Sequence, residues 1–189
     1  MKDIEKDLQL TSGSVLLRPY RLSDVDAVYE AVRESIAELS PRMYWCRPDY
    51  SIEEARTWVE SCAEAWERES EYRFAITDSG SGVFLGSCAL TLVNREFGVA
   101  EIGYYVRTSR TKQGVATAAV SLAIQFGFNR LMLNRMEIVI MVDNAASQRV
   151  AEKVGAIREG ILRNRIIVRE KTYNAVLFSL IPQDLVSKS

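Results

Sequence analysis

Along Glu101–Val106 the chain alternates: Ile102, Tyr104 and Val106 fall on one face, and aromatic and β-branched types dominate, which predicts a half-buried strand. The spacing then changes. A polar turn, Arg107-Thr108-Ser109-Arg110-Thr111-Lys112-Gln113-Gly114, leads to Val115, Ala116, Ala119, Val120, Ala123 and Phe126, which recur at helical intervals. A strand, a glycine turn and a helix in succession bring free backbone N–H groups and the positive end of a helix to one point, an arrangement suited to an anion. The turn contains no Gly-Lys-Ser/Thr and no G-x-G-x-x-G, so it is neither a P-loop nor a dinucleotide fingerprint. On spacing alone, Gly114 reads first as a turn residue.

The remaining pattern predicts elements on either side of this stretch. Val15-Leu16-Leu17-Arg18-Pro19 is a short strand stopped by proline, which has no N–H to donate. Ser23 with Asp26 resembles a capping box, followed at helical spacing by Val25, Val28, Tyr29, Val32 and Ile36. Residues 37–50, with two prolines and the cluster Met43-Tyr44-Trp45-Cys46, predict an irregular connection. Ser51-x-x-Glu54 then caps a second helix whose Ala55, Trp58, Cys62 and Trp66 share a face, a stripe that reads as core packing. Tyr72–Thr77 and Val83–Val93 are strands joined by the hairpin signal Asp78–Gly82, and Asn94–Gly98 turns the chain toward Val106. Arg135–Val142 is almost continuously apolar, as for a strand covered on both faces. Asn144 caps a short helix with Val150 and Val154 inward and Gly155 at its stop. Two final strands are expected, about Ala156–Leu162 and Ile166–Ile181, the second interrupted near Lys171. The order describes a mixed α/β sheet.

Composition narrows the function classes. With 189 residues and 48% apolar content, the chain fits one domain that can bury a sizeable core without disulfides. A net charge of −1 gives no field for non-specific nucleic-acid binding. No apolar run approaches the roughly 20 residues of a membrane span, and the charged segment MKDIEKDLQL lacks the apolar stretch of a secretion signal. Cys46, Cys62 and Cys88 are odd in number and lack metal-type spacing, which points to free thiols in a reducing cytoplasm. The chain has no histidine at all, which excludes a Ser-His-Asp or Cys-His triad and any histidine-ligated metal. Proton transfer must then use carboxylates, Tyr, Lys or water.

Glu101–Thr117, followed by Asp143-Asn144-Ala145-Ala146-Ser147 and by Gly155 through Arg163, resembles the GNAT N-acetyltransferases. Within them it is most similar to the group containing the bacterial ribosomal-protein N-terminal acetyltransferases. The likeness runs from about Val15 to about Pro182, within a single domain over 1–189. Gly114 and Ala116 match the superfamily's Gln/Arg-x-x-Gly-x-Gly/Ala signature; its first position is Thr111, with Arg110 one place early. The order of the three motifs, more than this turn, makes the match specific. The resemblance implies a mixed, mostly antiparallel central sheet flanked by helices, with a cleft between two central parallel strands. It implies acetyl-CoA as cosubstrate, no metal, and a protein N-terminus or a small amine as acceptor. A homodimer is left open, as is a non-catalytic acyl-CoA-binding module.

Site roles follow from that resemblance. An amine attacks a thioester carbonyl, so a base, an oxyanion donor and a leaving thiol are needed. Glu101 is the candidate base, because the family commonly carries a carboxylate on this strand; a structural ion pair is the alternative. Asn144 and Ser147 match an Asn-x-x-Ser pattern that lies near the cofactor sulfur, so Ser147 either protonates the thiolate or hydrogen-bonds the cofactor. The helix after Asn144 has no tyrosine, so the tyrosine acid of other branches is absent from its usual place. The diphosphate is expected on the backbone of Gln113, Gly114, Val115, Ala116 and Thr117, with charge from Arg110 and Lys112. Exposed backbone of Tyr105, Val106 and Arg107 is expected to pair with the pantetheine arm, and the N–H near Val106 to hold the oxyanion. Tyr44 and Trp45 are candidates for the acceptor side. Two positions depart from the group: the place of a glutamate implicated in catalysis in some members is Ile166, and Asp-x-x-x-Tyr becomes Asn174-x-x-x-Phe178.

Overall fold

The chain enters its sheet through a short antiparallel pair, β1 (Leu10–Ser12) and β2 (Val15–Pro19), turned at Gly13, whose φ of +57° suits glycine. The computed structural model describes residues 7–186, so most of the charged N-terminal segment read for targeting lies outside the described residues. Antiparallel pairing continues through β3 (Tyr72–Asp78), β4 (Phe84–Asn94) and β5 (Val99–Val106). The neighbour of β5 is β6 (Arg135–Met141), in the one parallel pairing among the described residues, and β8 (Lys171–Leu180) and β7 (Ile157–Val168) complete the order β1-β2-β3-β4-β5-β6-β8-β7. This is the expected mixed, mostly antiparallel α/β architecture.

Helices cover both faces. On one, α4 (Val115–Asn129) packs with α5 (Ala145–Val154). Its apolar surface is wider than the predicted stripe: Leu122, Ile124 and Phe128 are buried beside Ala119, Val120 and Ala123. The helix contacts β1, β2, β4, β5 and α5, so it is enclosed on several sides. On the other face lie α1 (Val25–Glu34), the single turn α2 (Ile36–Leu39) and α3 (Ile52–Glu67), around Val28, Val32, Val59 and Tyr105. A last turn, α6 (Gln183–Val186), follows the sheet. No helix of the described residues is long and apolar enough to cross a membrane.

Three local expectations change. The predicted Ser23–Asp26 box does not form: a 3-10 turn, Leu22–Asp24, precedes α1, and the Asp24 carboxylate accepts from the Arg21 N–H at 2.8 Å and from both arms of Arg18. Asp24 outcompetes Ser23 because it meets a cation as well as a backbone donor. The box at Ser51 and Glu54 does form. The C-terminal hairpin divides at the interruption expected near Lys171 and not between 162 and 166. Its turn is Arg169-Glu170, at φ +48° and +64°, and the apparent break at 163–165 is a bulge with Asn164 at +51°. Neither turn residue is glycine, so the usual hairpin signal is missing. The tryptophan stripe also separates: Trp66 is 1% exposed against Tyr72, Phe74 and Phe126, whereas Trp58 is half-buried at a cavity wall.

Candidate active site

β5 and β6 pair only at Val99–Arg135, Ala100–Met136 and Glu101–Glu137. Beyond Glu101 they part. The helices that follow both strands, α4 and α5, start at the mouth of this gap, as ligand sites of α/β sheets commonly do. A cavity of about 700 Å³ occupies it, bounded by the ends of β5, α4 and α5 and roofed by Leu39, Arg42 and Met43. The roof is tied down by α1: Glu34 accepts from the Arg107 guanidinium and from the Ser109 N–H, and Ser35 Oγ accepts from the Thr108 N–H at 3.0 Å. The Arg107 hydrogen bond is the main reason the Glu34 carboxyl is lowered to about 2.

The start of α4 is uncapped. Gly114 holds φ +80° at the N-cap with no side-chain hydrogen bond, and the N–H of Ala118 makes the first helical bond, to the Gly114 carbonyl at 3.0 Å. The N–H groups of Val115, Ala116 and Thr117 therefore lack intrahelical acceptors, and all three residues line the cavity. Five basic side chains, Arg42, Arg110, Lys112, Arg149 and Lys153, share that lining with only two acidic ones, Glu38 and Asp143. Arg42 also keeps a buried Nε with no hydrogen-bond partner. The cavity is suited to a polyanion.

Two hydroxyls meet deeper in the gap. Asn144 caps α5 by accepting from the Ser147 N–H at 3.2 Å, which fixes the first turn. Ser147 Oγ then lies 2.6 Å from the phenol of Tyr104, and the phenol also lies 3.2 Å from the Ser147 carbonyl. Burial is the main cause that pushes the Tyr104 phenol up to about 12, so it keeps its proton near neutrality. The β5 backbone adds a donor. The Arg107 N–H bonds β4 at the Leu85 carbonyl, 2.9 Å away, so strand alternation turns the preceding N–H, of Val106, toward the open gap.

A second cavity, about 610 Å³, lies on the opposite face of β5 under α1 and α3. Trp45, Tyr50, Trp58 and Tyr105 line it, with Val28, Val32 and Ala89, and Gly103 forms part of its floor. Met43, Tyr104 and Tyr105 belong to the walls of both cavities. The two spaces therefore approach each other at one point on β5.

Glu101 lies on the strand face shared by Gly103 and Tyr105, but it is in the wall of neither cavity. Its carboxylate accepts from Arg165 at 3.0 Å. Burial raises its pKa, Arg165 opposes that, and Glu137 across the parallel pair adds to it. The ion pair and the raised pKa coexist because desolvation outweighs the attraction of a partly exposed guanidinium.

Of the other residues singled out in the sequence, Tyr105, Val106, Arg110, Gly114, Val115, Ala116, Thr117, Asn144 and Ser147 line the first cavity. Gln113 turns away to the Ser109 carbonyl, and Arg107 is held by Glu34. Trp45 lines the second cavity, while Tyr44 is 73% exposed outside both. Ile166 sits on β7 opposite Tyr173. Sequence reasoning missed Arg42, Trp58 and the partnership of Tyr104 with Ser147. Tyr104 carried a signal as a polar-tipped residue on an apolar strand face; Arg42, in an irregular connection, carried none. Cys46, Cys62 and Cys88 are free and buried, and none lines either cavity; burial takes Cys62 up to about 11 and Cys88 to about 12. Among the described residues there is no group of three or more metal-ligating side chains.

The family model described as an acetyltransferase (GNAT) domain matches residues 14–157. The chain is 28% identical over 160 residues to "Probable N-acetyltransferase YjcK" of Bacillus subtilis, covering 83% of this chain and 88% of that protein. Its fold superposes on a Vibrio cholerae protein provisionally assigned as a ribosomal-protein-serine acetyltransferase, with a TM-score of 0.83, 27% identity, and 94% and 99% of the two chains covered. RimL, a ribosomal L7/L12 α-N-protein acetyltransferase solved with coenzyme A, has the same fold at a TM-score of 0.85 and 22% identity, over 92% and 98% of the chains.

Proposed function

Since the chain belongs to the acetyltransferase (GNAT) family, we propose that it moves the acetyl group of acetyl-CoA to a primary amine, specifically a protein N-terminal α-amine. The observation that carries this reading is the pair of cavities, one basic and one aromatic, that meet at Met43, Tyr104 and Tyr105. The residues of the first cavity fit CoA. Three orphan N–H groups at an uncapped helix start and five basic side chains suit its phosphates, and the unpaired β5 edge suits an amide-bearing arm. A terminal amine suits the chemistry, since its pKa near 8 makes deprotonation easier than for a lysine near 10.4. Ribosomal-protein acetyltransferases among the structural neighbours support the same acceptor class.

Bound acetyl-CoA supplies the activated acyl group, which the amine takes directly, since no cysteine lines either cavity. Glu101 takes the ammonium proton through water: it lies two residues along the same strand face from Gly103, about 7 Å at 3.4 Å per residue. The Val106 N–H, facing the gap, meets the negative charge that develops on the carbonyl oxygen. Tyr104 and Ser147 share a hydrogen bond at 2.6 Å in which either hydroxyl can donate; with the phenol as donor, the serine O–H is free to hydrogen-bond the departing sulfur. The Tyr104 phenol, with a pKa of about 12, and the serine hydroxyl beside it both stay protonated near neutrality, so the pair hydrogen-bonds the departing sulfur, and the thiolate, of ordinary pKa near 8.5, takes its proton from water.

Mixing the protein with acetyl-CoA and N-terminally free peptides is expected to release thiol and add one acetyl group to the α-amine, read by a thiol reagent and mass spectrometry. CoA binding without thiol release over a broad amine panel would leave a binding module. Ser147→Ala and Tyr104→Phe are each expected to slow transfer about 10–150-fold, the scale of one hydrogen bond to a charged group, 1.5–3 kcal/mol. The double variant should be no slower than either single one. Additive losses in kcat would show that the two hydroxyls act separately.

A further inference from the structure

We infer that the acceptor carries a bulky apolar or aromatic group beside its amine and no negative charge, and that on a protein acceptor this group is the first side chain. The inference rests on the acetyl-transfer reading and concerns only the second cavity. Its walls are aromatic: Trp45 packs at 5.7 Å from Tyr105 and 6.2 Å from Tyr50, and Trp58 stands edge-on to Tyr20 at 4.7 Å. The tyrosines are neutral walls. Burial pushes Tyr50 up to about 12 and Tyr105 higher still. At about 610 Å³ the space exceeds what an alanine or serine side chain fills, and it falls within the range of small-molecule sites.

Charge separates the two cavities. Among the described residues no basic side chain lines the second one, whereas five line the first. Its charged groups are the carboxylates of Glu53 and Glu54, and Glu54 is engaged by the Ser51 N–H and by Arg47 at 2.8 Å. A cation, Arg73, stands behind the wall against Trp58 and Ser61 and is already paired with Glu71 at 2.7 Å, so an anionic acceptor would meet no free cation in the lining. An ammonium would meet aromatic faces and a carboxylate, both attractive to it. The floor defines where the amine rests. A Cβ built on Gly103 would meet nothing within 4 Å, so the strand is open between Tyr105 and Glu101. An amine above Gly103 shares a strand face with Glu101 while its neighbouring group fills the space toward Trp45 and Trp58.

The test is a set of peptides identical except for a first residue of Phe, Leu, Ala, Ser or Asp, with phenylalaninamide and phenethylamine as free amines. Phe and Leu should exceed Ala and Ser in kcat/KM by tenfold or more, with Asp slowest, because a hydrophobic pocket discriminates by about 10–200-fold per methylene-sized group. Trp58→Ala should narrow that ratio with CoA affinity unchanged, and Trp58→Phe should restore it. Trp45→Ala provides the same readout should the Trp58 variant fail to fold. Equal or faster turnover of Ala or Ser, or preference for Asp, overturns the inference while leaving acetyl transfer intact. Turnover of the free aromatic amines but no peptide supports the cavity assignment and removes the protein acceptor. If no amine releases thiol, the acetyl-transfer reading falls, and tryptophan fluorescence in the CoA-bound protein decides the cavity alone. Phenylalaninamide should then bind at least tenfold tighter than alaninamide, and equal affinity overturns the inference.

Discussion

A Glu101→Gln protein is expected to bind CoA with wild-type affinity and to transfer acetyl about 10²–10⁴ times more slowly, a loss of roughly 3–5.5 kcal/mol of transition-state stabilisation. Glutamine keeps the shape and removes the proton acceptor. The fold should tolerate it, because the lost partner is Arg165, whose side chain is 43% exposed, and exposed pairs contribute about 0–1 kcal/mol. The pH profile is a second readout. Burial raises the Glu101 carboxyl above its ordinary value, so the limb it contributes to the wild-type rate lies above about 4.3. The rate should rise with pH as that carboxyl ionises, wherever chemistry limits turnover. The variant should retain only the limb of the amine, near 8 for a peptide terminus. A folded Glu101→Gln protein that acetylates a confirmed acceptor at the wild-type rate across about pH 6–9, the span around that amine, would sink the assignment. The Glu101–Arg165 pair would then be structural.

Gly114→Asp is expected to weaken CoA binding about 10²–10⁴-fold, measured by calorimetry, with the fold kept. A Cβ at Gly114 meets nothing within 4 Å, so the cost to the fold is the backbone at φ +80°, which Asp tolerates better than most residues. Its carboxylate sits where an N-cap oxygen sits. It satisfies the free N–H groups of Ala116 or Thr117 and offsets the positive end of α4, so it competes with the phosphate for the same donors. Two charge-assisted hydrogen bonds at 1.5–3 kcal/mol each set the scale. Gly114→Ala separates the terms: it carries the φ penalty without the charge and should lose far less affinity. Unchanged CoA affinity in Gly114→Asp would move the phosphate site away from α4.

Much of this architecture was legible because it depends on local pattern. The alternation at 102, 104 and 106, the helical spacing after Gly114 and the Ser51–Glu54 box are short-range features, and the corresponding β5, α4 and α3 follow them. Failures arose where a local rule had a stronger competitor. At the first helix Arg18, six residues away, recruited Asp24 in place of the Ser23 box. At the last hairpin, Arg169 and Glu170 took the left-handed backbone without the glycine that would have announced it.

The sequence by itself determined the family, the order of elements and a free helix N-terminus at Gly114, because these are written in spacing along the chain. Tertiary structure alone decided what faces that helix. Splaying of β5 from β6 after Glu101 opened the first cavity, and the Glu34–Arg107 and Ser35–Thr108 contacts, 73 residues apart in the chain, brought Arg42 and Met43 over it. The same long-range packing set the phenol of Tyr104 against Ser147, 43 residues on, and turned Trp58 from the core to a cavity wall. A strand or helix pattern records which side of an element is buried, and it carries no record of which distant residue meets that side. That meeting is set by how the faces pack once hydrophobic burial has closed the sheet between its helices.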